Sequence, residues 1–182
     1  MKRALSLLAV AGVLASANAA ADTKNAVIGS IYLPKVEVDF PPALDASPDA
    51  LQFEFRHSMN RNVWLGAMLT TGFGSDDLVP GLDVEVGNSL TVMVGAQAEF
   101  AHHVSGWAFL GYGKAEGSMS GAASGDADGN GVAWGLGVDF RINDQMLVNA
   151  GYVSLFDGTM DSSGTDVDVA IAGPRVGIGF TF

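Results

Sequence analysis

The sequence has no cysteine among its 182 residues, which removes disulfide scaffolds, thiolate metal sites and cysteine nucleophiles at once. It also closes the lipoprotein route to a membrane. Basic residues are scarce: nine Lys and Arg stand against 20 Asp and Glu. With Lys2 and Arg3 set aside, the balance is seven against 20, a net charge of −13. Nucleic acid, which is bound through clustered Lys and Arg, is therefore excluded as a partner. Beyond the N-terminal segment there is no run of about 18 apolar residues, so no membrane-spanning helix is expected. A His/Cys cluster, a phosphate-cradling Gly loop and a dinucleotide fingerprint are missing too, and no cofactor is implied.

What is present begins with a basic pair, Lys2 and Arg3, followed by an apolar stretch from Ala4 to Ala15. The small residues Ala17-Asn18-Ala19-Ala20-Ala21 then offer cleavage after Ala19 or after Ala21. Residues 1–21 read as a secretory signal peptide, and 22–182 as one mature domain.

Mean hydropathy is +0.28 although no helical span exists. A closed barrel reconciles the two, because each strand offers every second side chain to lipid and satisfies its backbone through its neighbours. The period is two almost throughout. Leu90, Val92, Val94, Ala96, Ala98 and Phe100 alternate with Ser89, Thr91, Met93, Gly95, Gln97 and Glu99. Val132, Trp134, Leu136, Val138, Phe140 and Ile142 do the same against Ala133, Gly135, Gly137, Asp139 and Arg141. Further strands are expected over about 26–33, 51–59, 62–73, 104–116, 146–156 and 167–182. Short connections at 60–62, 101–103 and 143–145 alternate with long polar ones, among them 74–88, 117–131 and 157–166. In the last strand the apolar positions pass from odd (Val167, Val169, Ile171) to even (Val176, Ile178, Phe180, Phe182), which predicts a one-residue bulge near Gly173-Pro174. The fold class is all-β: an eight-stranded antiparallel up-and-down transmembrane β-barrel, short turns to the periplasm and long loops outside.

The alternation points Glu54, Arg56, Glu99, Asp139 and Arg141 into a lumen narrow enough for side chains to fill. Charges there must pair or meet water, so these five are expected to form a structural ion network that stiffens and plugs the barrel. The acidic residues concentrate elsewhere, in or beside the turn-like segments: Asp76, Asp77, Asp83, Glu85, Asp126, Asp128, Asp157, Asp161, Asp166 and Asp168.

Several segments also resemble a known family. Gly95 to Phe100, Gly111-Tyr112-Gly113-Lys114, Gly135-Leu136-Gly137-Val138, Phe140 to Asp144 and Val176 to Phe182 are similar to the small outer-membrane β-barrel proteins, the group of OmpX and the OmpA barrel. The resemblance covers residues 89–182 well, 50–73 loosely and 22–49 hardly at all. It implies the outer membrane of a Gram-negative bacterium, with outer-membrane lipids and lipopolysaccharide as surroundings. It also implies that Val176, Ile178, Phe180 and Phe182, ending on an aromatic, serve as the signal read by the outer-membrane assembly machinery. The group includes adhesion and host-interaction proteins and structural barrels; the expectation for this chain is a non-catalytic monomer acting structurally or through surface or host ligands of its loops.

Two local patterns invite chemistry. His103-Val104-Ser105 with Glu116 has the residue types of a lipid A deacylase, but the strand between would hold Ser105 and Glu116 about 37 Å apart at about 3.4 Å per residue. Asp126-Ala127-Asp128-Gly129-Asn130-Gly131 matches the first half of a calcium loop, yet Gly137 stands where the bidentate Glu is required. Neither catalytic residues nor a metal site are expected. The alternatives are a narrow pore for small solutes, a lipid A hydrolase, and a soluble lipocalin-type barrel, which the lipid-facing strands oppose.

Overall fold

The computed structural model describes residues 24–38, 44–79, 82–121, 125–162 and 165–182. The expected signal peptide lies outside them. Among the described residues eleven strands share one antiparallel sheet: β1 (Asn25–Tyr32), β2 (Lys35–Val38), β3 (Leu44–Ala46), β4 (Ala50–Ser58), β5 (Val63–Gly72), β6 (Ser75–Val79), β7 (Leu82–Ala101), β8 (Val104–Gly121), β9 (Gly125–Arg141), β10 (Met146–Ser162) and β11 (Thr165–Thr181).

Three of the eleven are continuations. β1 and β2 oppose β11 in one unbroken register, with Tyr32 across from Arg175 and Lys35 across from Ala172. β3 and β4 likewise follow one register against that strand, from Val36–Ala46 to Tyr32–Ala50. β5 and β6 both line β7, with a one-residue shift around Gly72-Phe73-Gly74. Eight walls result, and the β1–β11 pairing closes them into the expected barrel.

Following the register from Asn25 through His57, Leu65, Val94, Leu110, Trp134, Ser154 and Ala172 leads back to Lys35, ten residues up the starting strand. That stagger over eight strands corresponds to a tilt of about 40°. The short turns and both described termini share one end, where Asn25 and Phe182 exchange backbone hydrogen bonds of 2.8 and 2.9 Å. There His103 adopts a left-handed φ of 67° in the tight turn between β7 and β8.

An apolar belt surrounds the outside. Along β9 and the residue after it the belt runs from Val132 to Ile142, with Trp134, Leu136, Val138 and Phe140 between, all exposed. Ten residue steps at about 3.3 Å and about 40° of tilt give about 25 Å, the height of the hydrocarbon face of such barrels. Phe100, Phe140, Phe180 and Phe182 gather towards the short-turn end and Tyr112, Trp134 and Tyr152 towards the other, as the aromatic girdles of a membrane barrel do.

Two expectations are corrected. The segments 74–88, 117–131 and 157–166 are not loops where they are described: β6 to β11 carry them onward as hairpins. Their Gly, Ser and Asp content suggested loops, but Val36, Ala46, Val84, Val86, Met160 and Ile171 pack together inside the extension and hold it as sheet. The half calcium motif consequently sits in β9, without the sharp turn such a loop needs, and no metal-ligating cluster occurs among the described residues.

The second correction concerns Gly173-Pro174. β11 passes this point without a bulge; Gly173 faces Pro34, so closely that a Cβ there would strike the backbone of Leu33 and Pro34. The irregularity lies one strand away, at Leu155 of β10, where Ser154 opposes Ala172 and Phe156 opposes Ile171. The apolar residues of β11 change sides because the surroundings change. Low in the barrel they face lipid and the lumen is charged; higher up, Ile171 fills an apolar lumen and Asp168 faces outwards.

Candidate functional site

The lumen is built from alternate residues of all eight walls, and its middle holds a cluster of four charges. Glu54 and Arg56 are two apart on β4 and therefore face the same way. Arg56 Nε donates to Glu54 Oε1 at 2.6 Å and NH1 to Asp139 Oδ2 of β9 at 2.8 Å. Arg175 of β11 places NH2 2.6 Å from the other Glu54 oxygen, and its NH1 meets Gln52 Oε1 at 3.4 Å and the Met68 sulfur at 3.5 Å. Asn149 donates to the free oxygen of Asp139. Two guanidinium groups and two carboxylates balance, which is the condition for keeping all four charged in a dry interior.

Aromatic rings close the cluster. Arg56 lies between Trp64 and Trp107, 4.7 and 5.1 Å from their centroids, and Arg175 lies 4.7 Å from Trp107. Phe109 packs edge-on to Trp64 and stacks with Trp107. The rings have room because glycines stand opposite: Gly95 beneath Trp64, and Gly137 and Gly151 beneath Trp107.

Of the five lumen charges expected from sequence, Glu54, Arg56 and Asp139 meet. Glu99 and Arg141 do not join them: both share the lumen-facing parity, but they lie at the short-turn rim, Glu99 exposed and Arg141 half-exposed. Alternation fixes the face of a residue and not its depth. Arg175, Gln52 and Asn149 are buried members that sequence reasoning missed. For Arg175 the signal was available in β11: the outward phase of Val176, Ile178, Phe180 and Phe182 puts residue 175 inside. Those four residues do project outwards from the final strand, each about half exposed.

The deacylase residues are not assembled. Ser105 is buried in the lumen opposite Asp139, His103 is in the turn, and Glu116 is exposed towards the far end of β8. His57 bonds Asn25 at 2.8 Å.

Above the belt the outside is acidic. Glu37, Asp49, Asp76, Asp77, Glu85, Glu116, Asp128, Asp157 and Asp168 are exposed. The cations Lys35 and Lys114 are held by neighbours: Lys35 Nζ is 3.1 Å from Glu37, and Lys114 Nζ is 3.1 Å from Asp128 and 3.5 Å from Glu116. The hydrogen bond to Asp128, then its charge, holds the Lys114 ammonium above its ordinary pKa. Asp77 faces Asp83 directly across the β6–β7 hairpin, and sharing a hydrogen bond with that carboxyl raises its pKa.

Comparison with known proteins agrees with this geometry. A family model described as outer membrane protein beta-barrel domain matches residues 5–181. Ail, the attachment invasion locus protein of Yersinia pestis, is similar with a TM-score of 0.61 at 18% identity, over 88% of this chain and 98% of that one. Neisserial surface protein A gives a TM-score of 0.69 at 12% identity, over 87% and 97%. OprG from Pseudomonas aeruginosa gives 0.57 at 14%, over 87% and 95%. At these identities the likeness is one of fold. No curated protein sequence matches the chain. With a closed barrel, a lipid-facing belt and a family match over nearly its whole length, the chain belongs to the outer membrane protein β-barrel domain family and resides in the Gram-negative outer membrane.

Proposed function

We propose that the protein is a closed, non-catalytic monomeric barrel whose extended hairpins display an acidic face for a cationic surface or host ligand. The observation that carries this reading is the division of chemistry above the belt: apolar residues of the hairpins pack inwards, exposed carboxylates cover the outside, and both exposed lysines there are already paired. Such a surface attracts basic peptides or proteins through long-range steering and repels polyanions. A second Ail structure is of a complex with the heparin analogue sucrose octasulfate; the carboxylates exposed on this chain's hairpins would repel a polyanion of that kind.

Binding to immobilised polylysine and to heparin tests this directly, with the protein in lipid nanodiscs. Retention on polylysine that weakens as salt is raised is expected, and none on heparin. Heparin retention, or indifference to polylysine, would sink the proposal.

The lumen supports a plug rather than a pore. Side chains of Trp64, Met68, Tyr32, Phe156 and Val86 are buried at successive levels, around the ion cluster and above it. In planar bilayers we expect no steady single-channel conductance, and a reproducible unitary current would favour the pore. Lipopolysaccharide is the proposed neighbour of the upper belt, and Val176, Ile178, Phe180 and Phe182 the proposed signal for the assembly machinery.

A further inference from the structure

Four lumen residues on neighbouring strands form one continuous row: Ser30 of β1 opposes Gln52 of β4, Gln52 opposes Thr70 of β5, and Thr70 opposes Ser89 of β7. Thr91 follows on the same face of β7, opposite Met68. All five polar residues are buried, at 5% exposure or less. Ser30 Oγ, Gln52 Nε2, Thr70 Oγ1, Ser89 Oγ and Thr91 Oγ1 have no hydrogen-bond partner among the described residues, and neither has Arg175 Nε at the lower end of the row. The facing wall is different in kind: Ala115, Ala133, Val153, Leu155, Phe156 and Ile171 are buried and apolar.

Leaving so many donors and hydroxyls unmet in one dry wall is incompatible with the marginal stability of a folded chain. We infer that this wall holds a chain of bound water running from Arg175 Nε and Gln52 Nε2 up to Ser89. Water fits better than an ion, because the charge cluster is already balanced and because hydroxyls both donate and accept. It fits better than a solute, because the row is lined by short side chains spaced one strand apart, and single waters bridging two to four polar groups satisfy such rows. The chain is blind. Below it, Arg56 between Trp64 and Trp107 fills the lumen; above it, Val84, Val86 and Val36 form an apolar cap. At the level of this row one wall of the lumen is therefore wet and the other dry, and the wet wall supplies the solvation that Glu54 and Gln52 leave incomplete at Arg175.

Radiolytic hydroxyl labelling tests this, because X-rays generate the radical from bound water beside the residue it oxidises. Met68 and Met93 lie on the wet wall, whereas Met160 is an equally shielded methionine among apolar residues. In the folded protein in nanodiscs, Met68 and Met93 are expected to be oxidised well above Met160. The Thr70→Val/Thr91→Val variant is expected to bring Met68 down to the Met160 level while keeping the heat-dependent mobility of a folded barrel. Equal labelling of Met68 and Met160 in the wild type would overturn the inference, and so would unchanged Met68 labelling in the folded variant. Should the double variant not fold, Ser89→Ala carries the same comparison at Thr91 and Met93.

Discussion

Replacing Glu54 by alanine is expected to lower the unfolding free energy by about 3–5 kcal/mol, the cost of breaking a buried ion pair from one side. Glu54 is the shared counter-ion of two guanidinium groups: one carboxylate oxygen accepts from Arg56 Nε, and the other lies 2.6 Å from Arg175 NH2. Its loss leaves two buried cations with Asp139 as the single remaining carboxylate. Arg175→Met removes a charge as well, but leaves Glu54 forked onto Arg56, so it should cost much less. The pair Glu54→Gln/Arg175→Met restores neutrality, with Arg56 facing Asp139, and should be more stable than Glu54→Gln alone. Urea unfolding in lipid vesicles, followed by the mobility of folded and unfolded forms, measures all four. Equal midpoints for Glu54→Ala and Arg175→Met would show that the carboxylate does not bridge the two cations.

How far the sequence carries this architecture depends on what each residue reports. Strands such as Leu90 to Phe100 were legible because lipid and lumen impose opposite chemistry on alternate residues, and a period of two records that contrast. The hairpins above the membrane were not, because water outside admits Gly, Ser and Asp, and this composition looks the same in a loop and on the wet face of a sheet. Within the site, Glu54, Arg56 and Asp139 could be read from parity. Glu99 and Arg141 have the same parity and lie at the rim, since depth depends on the ten-residue stagger and stagger is a property of pairing between strands. Arg175 was legible from the same parity, since the outward phase of Val176 and Ile178 fixes its inward side whether or not a bulge precedes it. The real bulge, at Leu155, left no mark in the alternation of β11 because it belongs to the partner strand.

The glycines of the lumen record the tryptophans, and this gives the second large effect. Gly95 of β7 is the direct register partner of Trp64 on β5, and a Cβ on it would overlap the Trp64 ring. Gly95→Val is therefore expected to cost about 1–3 kcal/mol or more from overpacking alone. The upper end applies here, because the ring is fully buried, touches Arg56 on one face and packs against Phe109. Moving it also disturbs the cation beneath. Backbone strain is not the cause, since Gly95 lies in regular strand pairing on both sides. Trp64→Leu by itself should destabilise by opening a cavity. If the collision is the cause, Trp64→Leu/Gly95→Val should lose less than the two single variants together, because the added methyls enter the space the ring vacates. The same vesicle unfolding assay gives the three values. Strict additivity would mean that Gly95 is required for some reason other than the ring, and the lumen would then be packed more loosely around Arg56 than its stacking on Trp64 and Trp107 implies.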